Sequence, residues 1–296
     1  MAKKSNQYWR HTVSDVDGKE DVISYCAHHF RILGSRSAVK KAIAGGRLLL
    51  NGKIAGFTDR VRRGDRLELQ GSGIQKAKKF DADLEIVYED DLLLVVNKPG
   101  GIAVNGNRNK TVENAVADRN RQNSQPDALP RPVAVHRIDV PTSGLVMLAK
   151  TKTALIEMSR AFQEGEVRKE YLAVVHGKMP AGGTIDRPIE GKEAETRYKT
   201  LDTAPSRVFR HLSLARLQLI TGRTHQLRIH LRGEGYPIVG DKAYMDDRKT
   251  LLGKGLFLCS CKMQFKHPGT GRLTELEIEP PSKFSRLMER ERERFG

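Results

Sequence analysis

The sequence predicts an α+β fold, a mixed, largely antiparallel sheet with flanking helices, preceded by a small α/β domain. After residue 83, stretches of strand period and helix period are interleaved without the regular alternation of a doubly wound sheet. Residues 71–79 (GSGIQKAKK) read as a linker, made flexible by Gly and Ser and kept solvated by lysines. Residues 1–80 hold seventeen Lys and Arg against seven Asp and Glu, so ten of the sixteen net positive charges lie at the front. The expected division is a basic domain over 1–70, a linker over 71–82 and a larger domain over 83–296, long enough to bury a real core.

In the front domain, Ser35 caps a helix whose Ala38, Val39, Ala42 and Ile43 form an apolar stripe, with Lys40 and Lys41 facing outward. Gly45-Gly46 ends it. Leu48 to Leu50, a turn at Asn51-Gly52, Lys53-Ile54 and Asp65 to Leu69 read as short strands. In the larger domain, Leu84 to Tyr88 and Leu92 to Val96 read as strands, and Asn97-Lys98-Pro99-Gly100-Gly101 is a turn of a kind common after any strand. The polar stretch from Asn105 to Leu129 is expected as a loop and helix. Val133 to Val135 ends a strand and Gly144 to Ala149 forms a buried one. Lys169 to Gly177 reads as a strand with Tyr171, Ala173 and Val175 on one face and Leu172 and Val174 on the other. Leu214 to Ile220 alternates as a strand; Thr224 then caps a short helix that Gly233 ends, which puts Arg228 in its first turns. The strand Phe257 to Phe265 places Cys259 and Cys261 on the face of Phe257, Met263 and Phe265, and His267 to Gly271 is a hairpin turn. The tail, Lys283 to Phe295, is a charged helix docking through Phe284, Leu287 and Met288.

The chemistry concentrates in HRIDVPTSG, residues 136–144. It sets one carboxylate, Asp139, beside His136 and Arg137 on a loop between two strands, where catalytic groups are often found. An arginine such as Arg228 suits a bidentate grip on a carboxylate, and a guanidinium facing a desolvated acid favours its charged form. Metal readings fail. His225 and His230 are five apart, whereas ligands on one helix face need three or four. Cys259 and Cys261 with His267 lack a fourth ligand, and buried reduced cysteine is common. No P-loop or dinucleotide glycine pattern opens a helix.

A net charge of +16 and a pI near 9.8 predict a polyanionic partner, nucleic acid first. No apolar run approaches the roughly 18 residues of a membrane span. The start, MAKKSNQYWRH, lacks the apolar core of a signal peptide, and three cysteines fit a reducing compartment, so a cytoplasmic protein is expected.

HRIDVPTSGLVMLAK closely resembles the signature of the RluA family of RNA pseudouridine synthases. Three further stretches resemble that family in the same order: Asn97 to Gly101, the segment KEYLAVVHG around Tyr171, and GRTHQLRIH from Gly222 to His230. Ile138 departs from the leucine more usual before the aspartate. The front domain resembles a small RNA-binding module first recognised in a ribosomal small-subunit protein. The resemblance implies conversion of uridine to pseudouridine in structured RNA, with no cofactor and no metal. It implies that Asp139 is catalytic, that Arg228 pairs with it, and that Tyr171 stacks on the uracil or takes part in removing the proton from its carbon 5. His136, Arg137, Thr142, Arg223 and Gln226 would bind substrate; Arg36, Lys40, Lys41, Arg47 and Lys53 of the front domain would contact RNA phosphates. Ribosomal RNA, with large-subunit RNA first, is the preferred partner because an accessory RNA-binding domain is present; transfer RNA is the alternative, and a monomer is expected. The competing reading is a non-catalytic RNA-binding or ribosome-assembly factor retaining the fold. Asp139, Tyr171 and Arg228 together argue against it, since a binding module has no need of an acid that repels phosphate.

Overall fold

The computed structural model describes residues 8–14, 16, 19–29, 33, 36–70, 80–106, 108–207, 210–245 and 254–295. The chain forms two compact units, Met1–Ala77 and Lys78–Gly296.

In the first unit, β1 (Tyr8–Thr12), β3 (Leu48–Leu50), β4 (Lys53–Ile54) and β6 (Arg66–Gln70) form an antiparallel sheet in the order β1-β6-β3-β4. A two-strand ladder joins β2 (Glu20–Asp21) to β5 (Arg60–Val61). The helices α1 (Val22–His29) and α2 (Arg36–Ala44) supply Val22, Ile23, Tyr25, Cys26, Val39, Ala42 and Ile43 to its core. As expected, α2 buries Val39, Ala42 and Ile43 while Lys40 and Lys41 are exposed, and Gly46 takes the left-handed turn after it (φ 64°). Asn51 and Gly52 both have positive φ (51° and 81°), the backbone that matches the twist of a two-residue hairpin. The expected cap Ser35 and the linker 71–79 lie outside the described residues. Neither β1 nor α1 was expected; β1 is specified by pairing with β6, nearly sixty residues away in sequence.

The second unit is built on a ten-stranded sheet. Its strands are β7 (Glu85–Glu89), β8 (Leu93–Lys98), β9 (Ala128–Ala134), β10 (Ser143–Thr151), β11 (Arg168–His176), β12 (Gly182–Ile185), β13 (Thr196–Ser206), β14 (Arg210–Leu219), β15 (Leu258–Lys266) and β16 (Leu273–Glu277). The main order is β12-β13-β14-β11-β15-β10-β8-β7, with β9 beside β10 and β16 beside β15. Every pairing is antiparallel except β10 with β15. Strand alternation sends Leu94, Val96, Val146 and Leu148 into one apolar cluster and Leu93, Val95, Leu145, Met147 and Ala149 into another, so both faces are covered. The first face packs α3 (Val112–Ala115), α5 (Gln226–Gly233) and α6 (Lys283–Glu293); the second packs α4 (Lys152–Gln163).

Some expectations shift. The stretch 105–129 contributes α3 and a short 3-10 turn at Ala117–Asn120, tied down where Asn120 Nδ2 donates to the carbonyls of Leu129 (2.5 Å) and Lys150 (2.8 Å). Cys259 and Cys261 are buried with Phe257 as expected, but Met263 and Phe265 pack in the other cluster. The cause is a break in register between β11 and β15, where Glu170 faces Lys262 but Tyr171 faces Ser260, leaving Cys261 unpaired and reversing the faces. Burial pushes these thiols up to about 11 and about 12, so they are inert. Thr224 does not cap α5; the chain enters that helix through His225 in the left-handed region (φ 55°), with no side-chain cap bond.

Candidate active site

Asp139 lies on the loop between β9 and β10, and that loop is clamped from three directions. Its own turn is closed by the Thr142 N–H donating to the Asp139 carbonyl at 3.1 Å. From the turn after β8, the Gly101 N–H donates to the Val140 carbonyl at 2.7 Å, and Lys98 Nζ donates to the carbonyls of Pro99 (3.0 Å), Ile102 (3.0 Å) and Val140 (3.2 Å). At the loop's exit Gly144 holds φ 112° against β15, where a Cβ would stand 2.2 Å from the Ser260 carbonyl oxygen. Only glycine fits that crossing. The last residue of the sequence signature is thus fixed by the one parallel strand pair in the sheet.

Facing the loop, α5 presents Arg228. Its Nη1 donates to Asp139 Oδ2 at 3.0 Å, while Nε and Nη2 grip Asp241 Oδ2 and Oδ1 at 2.8 and 2.7 Å. The bidentate pair therefore goes to Asp241, and Asp139 receives the remaining arm. Burial is graded: Asp241 has 1% of its side chain exposed, Arg228 6% and Asp139 22%. The carboxylate that reaches solvent is the one at the end of the chain of charges. The Tyr244 ring lies under the guanidinium, 4.9 Å from Cζ to centroid, and its hydroxyl meets His225 Nδ1 at 2.8 Å. His225 Nε2 is 3.6 Å from Asp139 Oδ1. Despite its own burial, Arg228 is pushed above the usual arginine range by its two carboxylate partners, so it stays charged.

Tyr171, in the middle of the sheet on β11, is 6% exposed. Burial chiefly, and the nearby Asp139 charge in addition, push its phenol up to about 12, so the hydroxyl is neutral at physiological pH. Lys98 is fully buried; burial pulls its ammonium down to about 8, with the Asp139 charge opposing the shift. A cavity of about 880 Å³ has Lys98, Pro141, Arg228 and Asp241 in its wall; Asp139 and Tyr171 do not line it.

Other expected substrate contacts are placed differently. Arg137 is exposed beside Asp139. His136 is not a cation flanking the acid: its Nε2 accepts the Met147 N–H at 3.0 Å, its ring stacks on Phe162 at 4.3 Å, and burial with the Lys169 charge brings it down to about 3. It is a neutral strut on the sheet's second face. Thr142 is buried at 1% exposure and serves the loop turn. Gln226 is also buried and saturated: its Oε1 accepts from Thr221 Oγ1 (2.7 Å) and the Arg223 N–H (3.0 Å), and its Nε2 donates to the Glu195 carbonyl (2.8 Å) and Thr196 Oγ1 (3.0 Å). With His230, which meets Thr196 Oγ1 at 3.0 Å, it fastens α5 to β13. Arg223 stays exposed, its Nε donating to the Glu193 carbonyl at 2.8 Å. The sequence reading missed Asp241 and Lys98. An acid after the apolar pair Ile238-Val239 and a lysine abutting a Pro-Gly turn were the available signals.

The RNA pseudouridylate synthase family pattern matches residues 92–232, a span holding Lys98, Asp139, Tyr171 and Arg228. A relative from Bacillus subtilis (strain 168), described as an uncharacterized RNA pseudouridine synthase, is 33% identical over 278 residues, covering 86% of this chain and 89% of the relative. A ribosomal large subunit pseudouridine synthase D of Vibrio cholerae is 34% identical over 281 residues, covering 83% of each. The solved structure of human RNA pseudouridylate synthase domain containing 4 superposes with a TM-score of 0.57 at 25% identity, over 70% of this chain and 93% of that one. With the site's geometry and these relatives in agreement, the chain belongs to the RluA family of RNA pseudouridine synthases.

Proposed function

We propose that this pseudouridine synthase acts on ribosomal RNA, that Asp139 carries its chemistry with Arg228 as charge partner and Tyr171 against the uracil, and that the first unit holds the RNA backbone. The reaction breaks the bond from the ribose anomeric carbon to uracil N1 and makes one to C5; C5 loses a proton and N1 gains one, so nothing is oxidised and no group is added. Such chemistry requires a carboxylate that reacts as nucleophile or base, and a target base drawn out of its stack. The observation that carries the reading is the graded triad. Asp241 anchors Arg228 from inside, and Arg228 holds Asp139 at the solvent edge with a charge that pH does not remove. Tyr171, its pKa pushed up to about 12 by burial and so neutral at physiological pH, offers a hydroxyl rather than a phenolate.

Lys98 is the positioning residue of this proposal, because three loop carbonyls converge on three ammonium protons. Its pKa of about 8 lies below the ordinary lysine value of about 10.4, so the ammonium is full at neutral pH and empties as pH rises through about 8. By linkage the folded chain gains stability relative to the unfolded one between about pH 8 and 10.4, where the unfolded lysine still holds its proton. Activity moves the other way, since the loop loses a donor. A single-turnover pH profile is expected to fall above about pH 8. In Lys98→Met turnover is lower throughout and that alkaline limb is missing; a limb unchanged in the variant would remove the lysine from the account.

Several relatives carry the name ribosomal large subunit pseudouridine synthase D, which supports ribosomal RNA as substrate. In the first unit Lys40, Lys41 and Lys53 are exposed and suited to phosphate contacts, whereas Arg47 is half-buried and Arg36 is held by Asp21 (3.2 Å) and Ser24. Among the described residues no helix is long and apolar enough to cross a membrane, and a cytoplasmic monomer is the proposed working form. Pseudouridine mapping across total RNA, from cells with and without the protein, is expected to lose signals in large-subunit ribosomal RNA. Loss confined to transfer RNA would show that the substrate assignment is wrong.

A further inference from the structure

We propose that Phe57 is a stacking platform for an unpaired RNA base. The inference rests on the reading of the first unit as RNA-binding and adds to it a specific contact with bases. A single exposed apolar side chain needs no explanation by itself. Phe57 is set apart by how it is held and by the charges beside it.

The ring is 51% exposed, and Ile54, three residues earlier, is 64% exposed. Phe57 occupies a stiff turn: the Asp59 N–H donates to the Gly56 carbonyl at 3.3 Å, and the Gly56 N–H donates to Asp59 Oδ2 at 2.8 Å. The Val22 N–H, donating to the Asp59 carbonyl at 3.0 Å, pins that turn to the start of α1. An aromatic ring on a backbone already ordered loses little freedom when it meets a base.

The charges follow from the pairing. Arg60, next after the turn, pairs in register with Asp21, whose carboxylate accepts from Arg36 at 3.2 Å. Arg36 opens α2, and Lys40 lies one helical turn further along on the same exposed face. With Arg36 spent on Asp21, Lys40 on α2 and Arg60 beside the Phe57 turn supply exposed positive charge, and Arg62 is exposed beyond them. Three carboxylates nearby are occupied internally: Asp59 by its own turn, Asp21 by Ser24, Arg36 and the N–H groups that open α1, and Asp65 by the Arg62 N–H and Asn51 Nδ2. A flat apolar ring in a field of surplus positive charge matches the two faces of a nucleotide, base and phosphate. Bases inside a duplex already stack on each other, so the ring selects loops, bulges or single strands.

The test uses the full chain and two probes, a short oligouridylate strand and an RNA duplex of equal length, with affinities measured by fluorescence anisotropy at fixed salt. Phe57→Ala is expected to weaken binding of the strand about tenfold, leaving the duplex and the salt slope unchanged, and Phe57→Trp to retain strand affinity. Lys40→Gln with Arg60→Gln should weaken both probes and flatten the salt slope. If Phe57→Ala binds the strand as the native chain does while the charge variants weaken both, the platform is refuted and the basic unit stands. Equal loss on both probes without rescue by Phe57→Trp would also refute it, as a merely structural effect. If none of the variants changes either affinity, the RNA-binding reading of the first unit falls as well.

Discussion

Arg228→Met is expected to cost about 3–5 kcal/mol of stability and to lower single-turnover pseudouridine formation by about 10³-fold. The stability loss comes from Asp241, which is 1% exposed and would be left as a buried carboxylate with, among the described residues, the Ala243 N–H (3.0 Å) as its hydrogen-bond partner outside the guanidinium. The activity loss comes from Asp139, deprived of the 3.0 Å donor that sets its orientation and balances its charge. These effects separate in a second variant. Adding Asp241→Leu removes the stranded charge, so Arg228→Met with Asp241→Leu is expected to regain most of the melting temperature and none of the turnover. Thermal melts and single-turnover assays of the two variants check this. Near-native turnover in Arg228→Met would mean that the guanidinium holds the fold and takes no part in the chemistry.

Much of this site is legible in the sequence alone. The signature around Asp139 is local, and a loop between apolar runs is read directly from periodicity. The contact of Arg228 with Asp139 spans 89 positions and was expected only through the resemblance; the structure has it at 3.0 Å. What stayed hidden was the environment of each side chain. His136 adjoins Arg137 in sequence, yet the bend after β9 turns it to the sheet's second face, where burial strips its charge. Gln226 sits in the most recognisable segment of the chain, and its polar atoms are all used internally: Oε1 holds the turn at Thr221 and Arg223, and Nε2 joins α5 to the start of β13, a strand that composition did not announce. Lys98 matters because of the loop it clamps and Asp241 because of the guanidinium it anchors, and both contacts are products of topology rather than of any spacing in sequence. The reversal of faces at Cys261 has the same character. One unpaired residue moves Met263 and Phe265 to the opposite side, and period-two reading has no means to detect it.

Asp139→Asn carries the largest expected effect. The amide keeps the shape and the hydrogen bond from Arg228, and it has neither the nucleophilicity nor the basicity of a carboxylate, so turnover should fall by about 10⁴-fold or more. RNA affinity should remain near native, because phosphate contacts come from cations elsewhere and loss of an acid removes repulsion rather than attraction. This pairing of effects also separates the enzyme from a binding factor that merely retains the fold.

The most direct measurement is single-turnover conversion of a target RNA, at protein concentrations that saturate binding, with pseudouridine scored by chemical mapping in the native chain and in Asp139→Asn. The expected result is full occupancy of the RNA by both proteins and conversion by the native chain alone. Conversion by Asp139→Asn at the native rate would contradict the account, because the reacting group would then have to be another residue.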